Sequence, residues 1–202
     1  MKKVILFSVM AFFVGKIIAQ SNIQSLAVGT EAPMMNVEML DISNKSVSIK
    51  SAMNENGLLV MFSCNTCPYV IKNQDRTKAI ANFAMKNKVG VLVLNSNEAK
   101  RTEDDSFEAM KKYAKEQGYN FYYAEDAKST LANAFGATRT PEVFLINAKG
   151  VIVYKGAIDD NPSEAENVKR EHLKVAIQEL VSGKGISIKE SKSVGCTIKR
   201  NS

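Results

Sequence analysis

Three cysteines carry the reactive chemistry of this chain: Cys64, Cys67 and Cys196. Cys64 and Cys67 form a C-x-x-C pair in Ser63-Cys64-Asn65-Thr66-Cys67-Pro68. Two intervening residues let a small disulfide ring close without unwinding a helix. The pair follows a continuous apolar run, Leu58-Leu59-Val60-Met61-Phe62, and precedes a helical pattern. A helix start presents free N–H groups and a partial positive charge, both of which favour thiolate over thiol. A cysteine there drops from ~8.5 to between about 3.5 and 7.5. The expected chemistry is thiol–disulfide exchange, with Cys64 at the exposed edge of the turn as attacking nucleophile. Cys67, one turn further in, would close on Cys64 and release a mixed disulfide.

Two other readings compete. Zinc needs four ligands, and beyond the pair the chain offers only Cys196 and one histidine, His172. His172 lies among Lys169, Arg170, Glu171 and Lys174, the setting of a surface residue. A purely structural disulfide stays open, although a strand end suits exposure better than burial. No metal or other cofactor is implied. Cys196 is a candidate resolving thiol; a free thiol or a link between chains fits the odd count equally well.

The elements that must position the pair follow from the pattern of apolar residues. Residues 35–50 alternate around Asp41-Ile42-Ser43-Asn44-Lys45 and predict a hairpin. Runs 58–62 and 89–94 predict strands buried on both faces. A helix is expected over about 68–86, with Pro68 in its first turn, where a missing N–H costs nothing. Another is expected from the capping pattern Thr102-x-x-Asp105 to Gly118. A short strand at 120–124 and a short helix at 127–135 come next. Val143–Ile146 and Val151–Tyr154 form a second hairpin around Asn147-Ala148-Lys149-Gly150. Ser163-x-x-Glu166 is expected to open the last helix, which ends at Gly183. Alternating elements make an α/β domain, with a largely parallel centre and an antiparallel edge. Right-handed crossovers place loops 63–68 and 95–97 on one rim.

The N-terminus has the pattern of a secretory signal peptide: basic Met1-Lys2-Lys3, an apolar run from Val4 to Val14 broken only by Ser8, and a small residue, Ala19, at the cut. A permanent span needs ~20 apolar residues. The expected division is a signal peptide at 1–19, a domain at 20–183 and a polar tail at 184–202 carrying Cys196. The location is periplasmic or secreted, with no membrane span after cleavage. Loss of Lys2, Lys3 and Lys16 takes the formal charge from +6 to +3. Lysines scattered among acids give no nucleic-acid face.

Thr140-Pro141 directly precedes the strand 142–146, and X-Pro bonds are those able to be cis. The strand–C-x-x-C–helix unit, this Thr-Pro and the Phe-Leu-Ile-Asn-x-x-Gly hairpin together resemble the thioredoxin superfamily. Gly29-Thr30-Glu31-Ala32-Pro33 resembles the start of redoxin, or AhpC/TSA-type, domains. Cys64-Asn65-Thr66-Cys67-Pro68, Asn95-Ser96-Asn97, Ile158-Asp159-Asp160 and Val194-Gly195-Cys196-Thr197-Ile198-Lys199 are similar to a peroxiredoxin-like bacterial branch of that superfamily.

The resemblance implies a thioredoxin-like fold: a central mixed sheet flanked by helices, with the 35–50 hairpin as an N-terminal extension. It implies that Pro141 is cis and packs beside the dithiol. It also implies that the Thr140 backbone pairs with a bound peptide, making Thr140 and Pro141 substrate-binding residues. The partners implied are protein or small-molecule thiols and disulfides and a membrane-linked or periplasmic reductant.

The chain also departs from its relatives. Leu58 stands where thioredoxins bury a proton-relay acid, so that acid is absent or supplied elsewhere. The peroxidase pattern Pro-x-x-x-Thr-x-x-Cys fits neither Cys64 nor Cys67, and Pro141 stands where peroxidases carry an arginine. An exported thiol–disulfide oxidoreductase is therefore the first expectation. A peroxiredoxin-like peroxidase and a non-catalytic binding protein of the same fold are the alternatives.

Overall fold

A computed structural model describes residues 23–201. The expected signal peptide at 1–19 lies outside the described residues. The chain opens with a small hairpin, β1 (Met39–Leu40) and β2 (Ser46–Val47), and a single turn, α1 (Ile49–Ala52). Then come β3 (Leu58–Ser63), α2 (Pro68–Lys72), α3 (Gln74–Lys86) and β4 (Gly90–Asn95). They are followed by α4 (Phe107–Gln117), β5 (Tyr122–Glu125), α5 (Thr130–Phe135), β6 (Arg139–Thr140) and β7 (Glu142–Ile146). β8 (Ile152–Gly156), α6 (His172–Val181) and β9 (Cys196–Thr197) complete the order.

The central sheet has the order β5-β4-β3-β7-β8. β3 pairs in parallel with β4, and β4 with β5, whereas β7 runs antiparallel to both β3 and β8. This is the mixed, helix-flanked sheet with an N-terminal hairpin that the sequence predicts. β3 lies at its centre and is buried throughout, which explains why it reads as unbroken apolar sequence.

Alternate residues of β3 serve two cores. Leu58, Val60 and Phe62 face a cluster with Ile49, Leu131 and Phe135 on the side of α1 and α5. Leu59 and Met61 face Ile80, Ala84, Met110, Leu173 and Ile177 on the side of α3, α4 and α6. Phe62 packs edge-on to Phe135 and Phe144, with ring centroids 5.6 and 5.8 Å away. Fully burying each such side chain contributes about 1.5–3 kcal/mol. The strand that ends at the dithiol is thus seated in both cores along its whole length.

Three expected boundaries move. The helix over 68–86 divides at Asn73, whose side-chain amide donates to the Tyr69 and Pro162 carbonyls at 2.7 and 2.9 Å. An asparagine that bonds backbone carbonyls in this way competes with regular helix geometry. Thr102-x-x-Asp105 does not open α4. Ser106 does, accepting from the Ala109 amide, because the Asp105 carboxylate bonds elsewhere. Ser163-x-x-Glu166 does not open α6 either. Asn161 and Asp160 fold 160–170 into turns by accepting from the amides of Ser163, Glu164 and Lys169, and α6 starts at His172.

Within the polar tail expected at 184–202, residues 186–200 run along the domain. Ser191 bonds Tyr154 and the Ala157 amide, and β9 pairs antiparallel with β6. Ile198 is buried, and the Lys199 amide donates to the Asn97 side chain at 2.9 Å. Among the described residues no helix is long and apolar enough to cross a membrane.

Candidate redox site

β3 delivers the chain to the turn Ser63–Cys67, and Pro68 opens α2 with Cys67 as its N-cap. The sequence places Cys64 at an exposed edge and Cys67 deeper. The structure corrects this: both side chains are buried, Cys64 at 1% exposure and Cys67 at 4%. The reason lies in what covers the turn. Below it is a polar floor, above it are Thr140-Pro141 and β9, and Thr66 and Pro68 take the solvent positions instead.

The floor centres on Asp105, which is fully buried. One carboxylate oxygen accepts from the Asn65 amide at 2.8 Å and from the Asn95 side chain at 2.7 Å. The other accepts from the Asn97 side chain at 2.9 Å. Asn65 also donates to the Asp104 carbonyl at 2.7 Å and accepts from the Tyr123 hydroxyl at 2.7 Å. A buried carboxylate is tolerable only when its lone pairs are satisfied, and here three donors converge on it. The floor holds Asn65, the first of the two residues between the cysteines, and with it the spacing of the sulfurs.

Above the turn, the Thr140–Pro141 peptide bond is cis. The Thr140 hydroxyl lies 3.5 Å from the Cys64 sulfur, and the Cys67 thiol donates to the Thr140 carbonyl at 3.3 Å. Of the two expected substrate-binding residues, Thr140 therefore sits against the dithiol, and Pro141 follows it through the cis bond. The Thr140 backbone is already paired, however, with Cys196 directly opposite it in the β6–β9 ladder. Cys196 is half-buried and packs into the same small cluster as Cys64, Cys67, Tyr69 and Val70. All three thiols are free.

The surroundings split the two thiols electrically. The Cys67 thiol is held well below the ordinary cysteine range. Its largest cause is the Cys64 thiol, which shares its proton with the Cys67 sulfur; the Cys196 thiol and the Val70 and Cys196 amides add to this against burial. The Thr140 carbonyl pulls the other way, since it accepts from the protonated form. Cys64 moves upward: its proton is held by Cys67, and burial and the Asp105 charge oppose ionisation. Burial likewise pushes the Cys196 thiol up.

His172 lies at the start of α6 and does not join the cluster. Among the described residues no group of three or more His, Cys, Asp or Glu is arranged to hold a metal ion. Leu58 is buried in β3 and supplies no acid. The acid beneath the turn is Asp105, which reaches the pair through Asn65 rather than by touching a sulfur. The residue pattern singles out Asn95-Ser96-Asn97 but takes Asp105 for a helix cap. Clustered Asn and Asp at the ends of neighbouring strands are the signal that points to this floor.

The model of the Redoxin family matches residues 27–170. The chain belongs to the Redoxin family. Among solved structures, this Redoxin-family chain is similar to an uncharacterized conserved protein from Geobacillus kaustophilus. The identity is 31%, the TM-score 0.80, and the match covers 87% of this chain and 93% of that one. It is also similar to a hypothetical protein from Sinorhizobium meliloti 1021, at 28% identity and a TM-score of 0.80, covering 89% and 97% of the two chains. The thioredoxin domain of a thiol-disulfide oxidoreductase from Bacteroides vulgatus matches at 20% identity and a TM-score of 0.54. That match covers 66% and 90% of the two chains and shows the shared fold. No curated protein matches the chain. Fold and family therefore agree with the expected thioredoxin-like, redoxin-type domain.

Proposed function

We propose that this protein is an exported thiol–disulfide oxidoreductase that works through Cys64 and Cys67, with Cys67 rather than Cys64 as the attacking sulfur. The observation that supports the reading is the place of Cys67 at the start of α2, packed with Cys64 and Cys196 beside a cis Thr140-Pro141. A helix start favours the thiolate, and the neighbouring Cys64 thiol lowers Cys67 further. A thiolate is the nucleophile in disulfide exchange, so the sulfur best stabilised as an anion attacks first.

The electrons balance over two steps. The Cys67 thiolate attacks a substrate disulfide, forms a mixed disulfide and expels one substrate thiolate. Cys64 then loses its proton to the leaving sulfur and attacks Cys67. The Cys64–Cys67 disulfide forms, the second substrate thiol departs, and the dithiol has been oxidised by two electrons. The reverse sequence oxidises a substrate dithiol, and the potential sets the direction. The substrates are protein or small-molecule thiols and disulfides. A periplasmic or membrane-linked reductant would return the pair to its thiol state.

The reading is tested by equilibrating the protein in glutathione buffers of stepped potential and mapping disulfides by mass. One two-electron transition to a Cys64–Cys67 link is expected, abolished in Cys67→Ser. Absence of that link at every poise overturns the reading. Export rests on the basic start and apolar run of residues 1–19. N-terminal sequencing of the protein from its native host is expected to begin near Gln20; a chain still carrying Met1 or Lys2 overturns export.

A further inference from the structure

The edge at Thr140 is where an extended polypeptide running past the Cys67 sulfur would find backbone partners. Adding a strand to such an edge supplies main-chain hydrogen bonds and aims one side chain at the site. In this chain the edge is taken. β9 pairs antiparallel with β6, Arg139 opposite Thr197 and Thr140 opposite Cys196. The residue facing Thr140, where a substrate cysteine would stand, is itself a cysteine.

The fit is close and specific. A side chain at Gly195 would place its Cβ 2.1 Å from the Thr140 carbonyl oxygen and 3.3 Å from the Pro141 nitrogen, so only glycine lets the strand approach. The segment is anchored on both sides. Ser191 bonds Tyr154 and the Ala157 amide. The Ile198 amide donates to the Thr138 carbonyl at 3.1 Å, and the Lys199 amide reaches Asn97 of the floor. Cys196 packs with Cys64, Cys67 and Val70 rather than pointing to solvent.

We propose that residues 194–198 are a built-in substrate strand: they hold the Thr140 edge against extended polypeptides and present Cys196 to close a disulfide with Cys67 once Cys67 has reacted with a low-molecular-weight disulfide. The inference deepens, and rests on, the reading of Cys67 as the attacking sulfur. Cys67 thereby becomes a shared sulfur, flanked by Cys64 within the motif and by Cys196 on the strand.

The chemistry balances with a small disulfide, RSSR, as oxidant. The Cys67 thiolate attacks RSSR, giving Cys67–S–SR and one RS⁻. Cys196 then gives up its proton and attacks the Cys67 sulfur. The Cys67–Cys196 bond forms, the second RS⁻ leaves and takes the proton, and two protein thiols have been oxidised by one RSSR. Cys64 can later attack the same sulfur and free Cys196, moving the disulfide into the motif with no further oxidant.

The test uses reduced Cys64→Ser, so that Cys196 has no competitor, mixed with oxidised glutathione and quenched in acid. Peptide mapping without reduction is expected to find mostly Cys67–Cys196, with two glutathione thiols released per chain. A persistent Cys67–glutathione adduct with Cys196 free overturns the proposal and leaves the dithiol reading standing. No reaction at Cys67 also overturns it; wild type, treated in parallel, then decides whether the dithiol reading survives by forming Cys64–Cys67 or fails by forming nothing. Gly195→Val in the Cys64→Ser background keeps all the chemistry but lifts the strand. At least a tenfold slower Cys67–Cys196 closure is expected, and an unchanged rate overturns the role of the strand.

Discussion

The dithiol turn is held from two sides, and the two are built differently. The floor below is buried polar structure, with Asp105, Asn65, Asn95, Asn97 and Tyr123 tied by side-chain hydrogen bonds of 2.7–3.0 Å. The strand above is a two-residue ladder at a half-exposed edge, with Thr197 exposed and Cys196 half-buried. A buried network must be satisfied in full, because each unpaired member is costly. A short edge ladder can open for little, as low-stability elements at functional sites do. One side therefore fixes the spacing of the sulfurs, and the other sets what reaches them.

Replacing Asp105 gives the largest effect. Asp105→Ala strands three buried donors and is expected to destabilise the domain by about 3–5 kcal/mol in urea unfolding. Asp105→Asn, which keeps the shape but turns one acceptor into a donor, is expected to lose about 1–3 kcal/mol. If both variants unfold like wild type, the floor does not hold the turn and the comparison breaks.

Gly195→Val sharpens the other half. The added side chain meets the Thr140 carbonyl, so β9 must leave β6. A loss of only about 1 kcal/mol is expected, since the displaced segment is short and partly solvated. Maleimide labelling of Cys196 and reduction of insulin disulfides are both expected to speed up severalfold. A loss as large as that of Asp105→Ala would mean that the strand is structural in the same sense as the floor.

The smallest effect belongs to Arg139→Ala. Its exposed guanidinium donates to the Thr197 hydroxyl at 3.2 Å and to the Gly195 carbonyl at 3.5 Å. Exposed hydrogen bonds of this length contribute little, and a change within about 0.5 kcal/mol is expected. A larger loss would show the ladder to be stiffer than its geometry suggests.

The same contrast explains what could be read from the residues. β3, the C-x-x-C turn and the Thr140-Pro141 step are local patterns: an apolar run that ends at a dithiol, and a proline that begins a strand. They are legible because periodicity and turn chemistry act within a few neighbours. Asp105 is not. Its local spacing fits a helix cap, and only the folded sheet brings the end of β4 and the 63–67 turn around it. The β6–β9 pairing is equally hidden, for it joins Thr140 to Cys196 across two intervening strands and a helix, and a two-residue strand leaves no periodic trace. The burial of Cys64 is hidden for the same reason, since both covers come from distant sequence.

The central claim is that Cys67 carries the thiolate. Ultraviolet thiolate absorbance of the reduced protein, followed against pH, tests it most directly when the Cys67→Ser curve is subtracted from that of wild type. The site predicts that the difference contains one thiolate titrating well below the ordinary cysteine range, so that Cys67 remains ionised at neutral pH and is protonated only in acid. A difference curve that rises only near pH ~8.5 or above, as for an unperturbed cysteine, would contradict it.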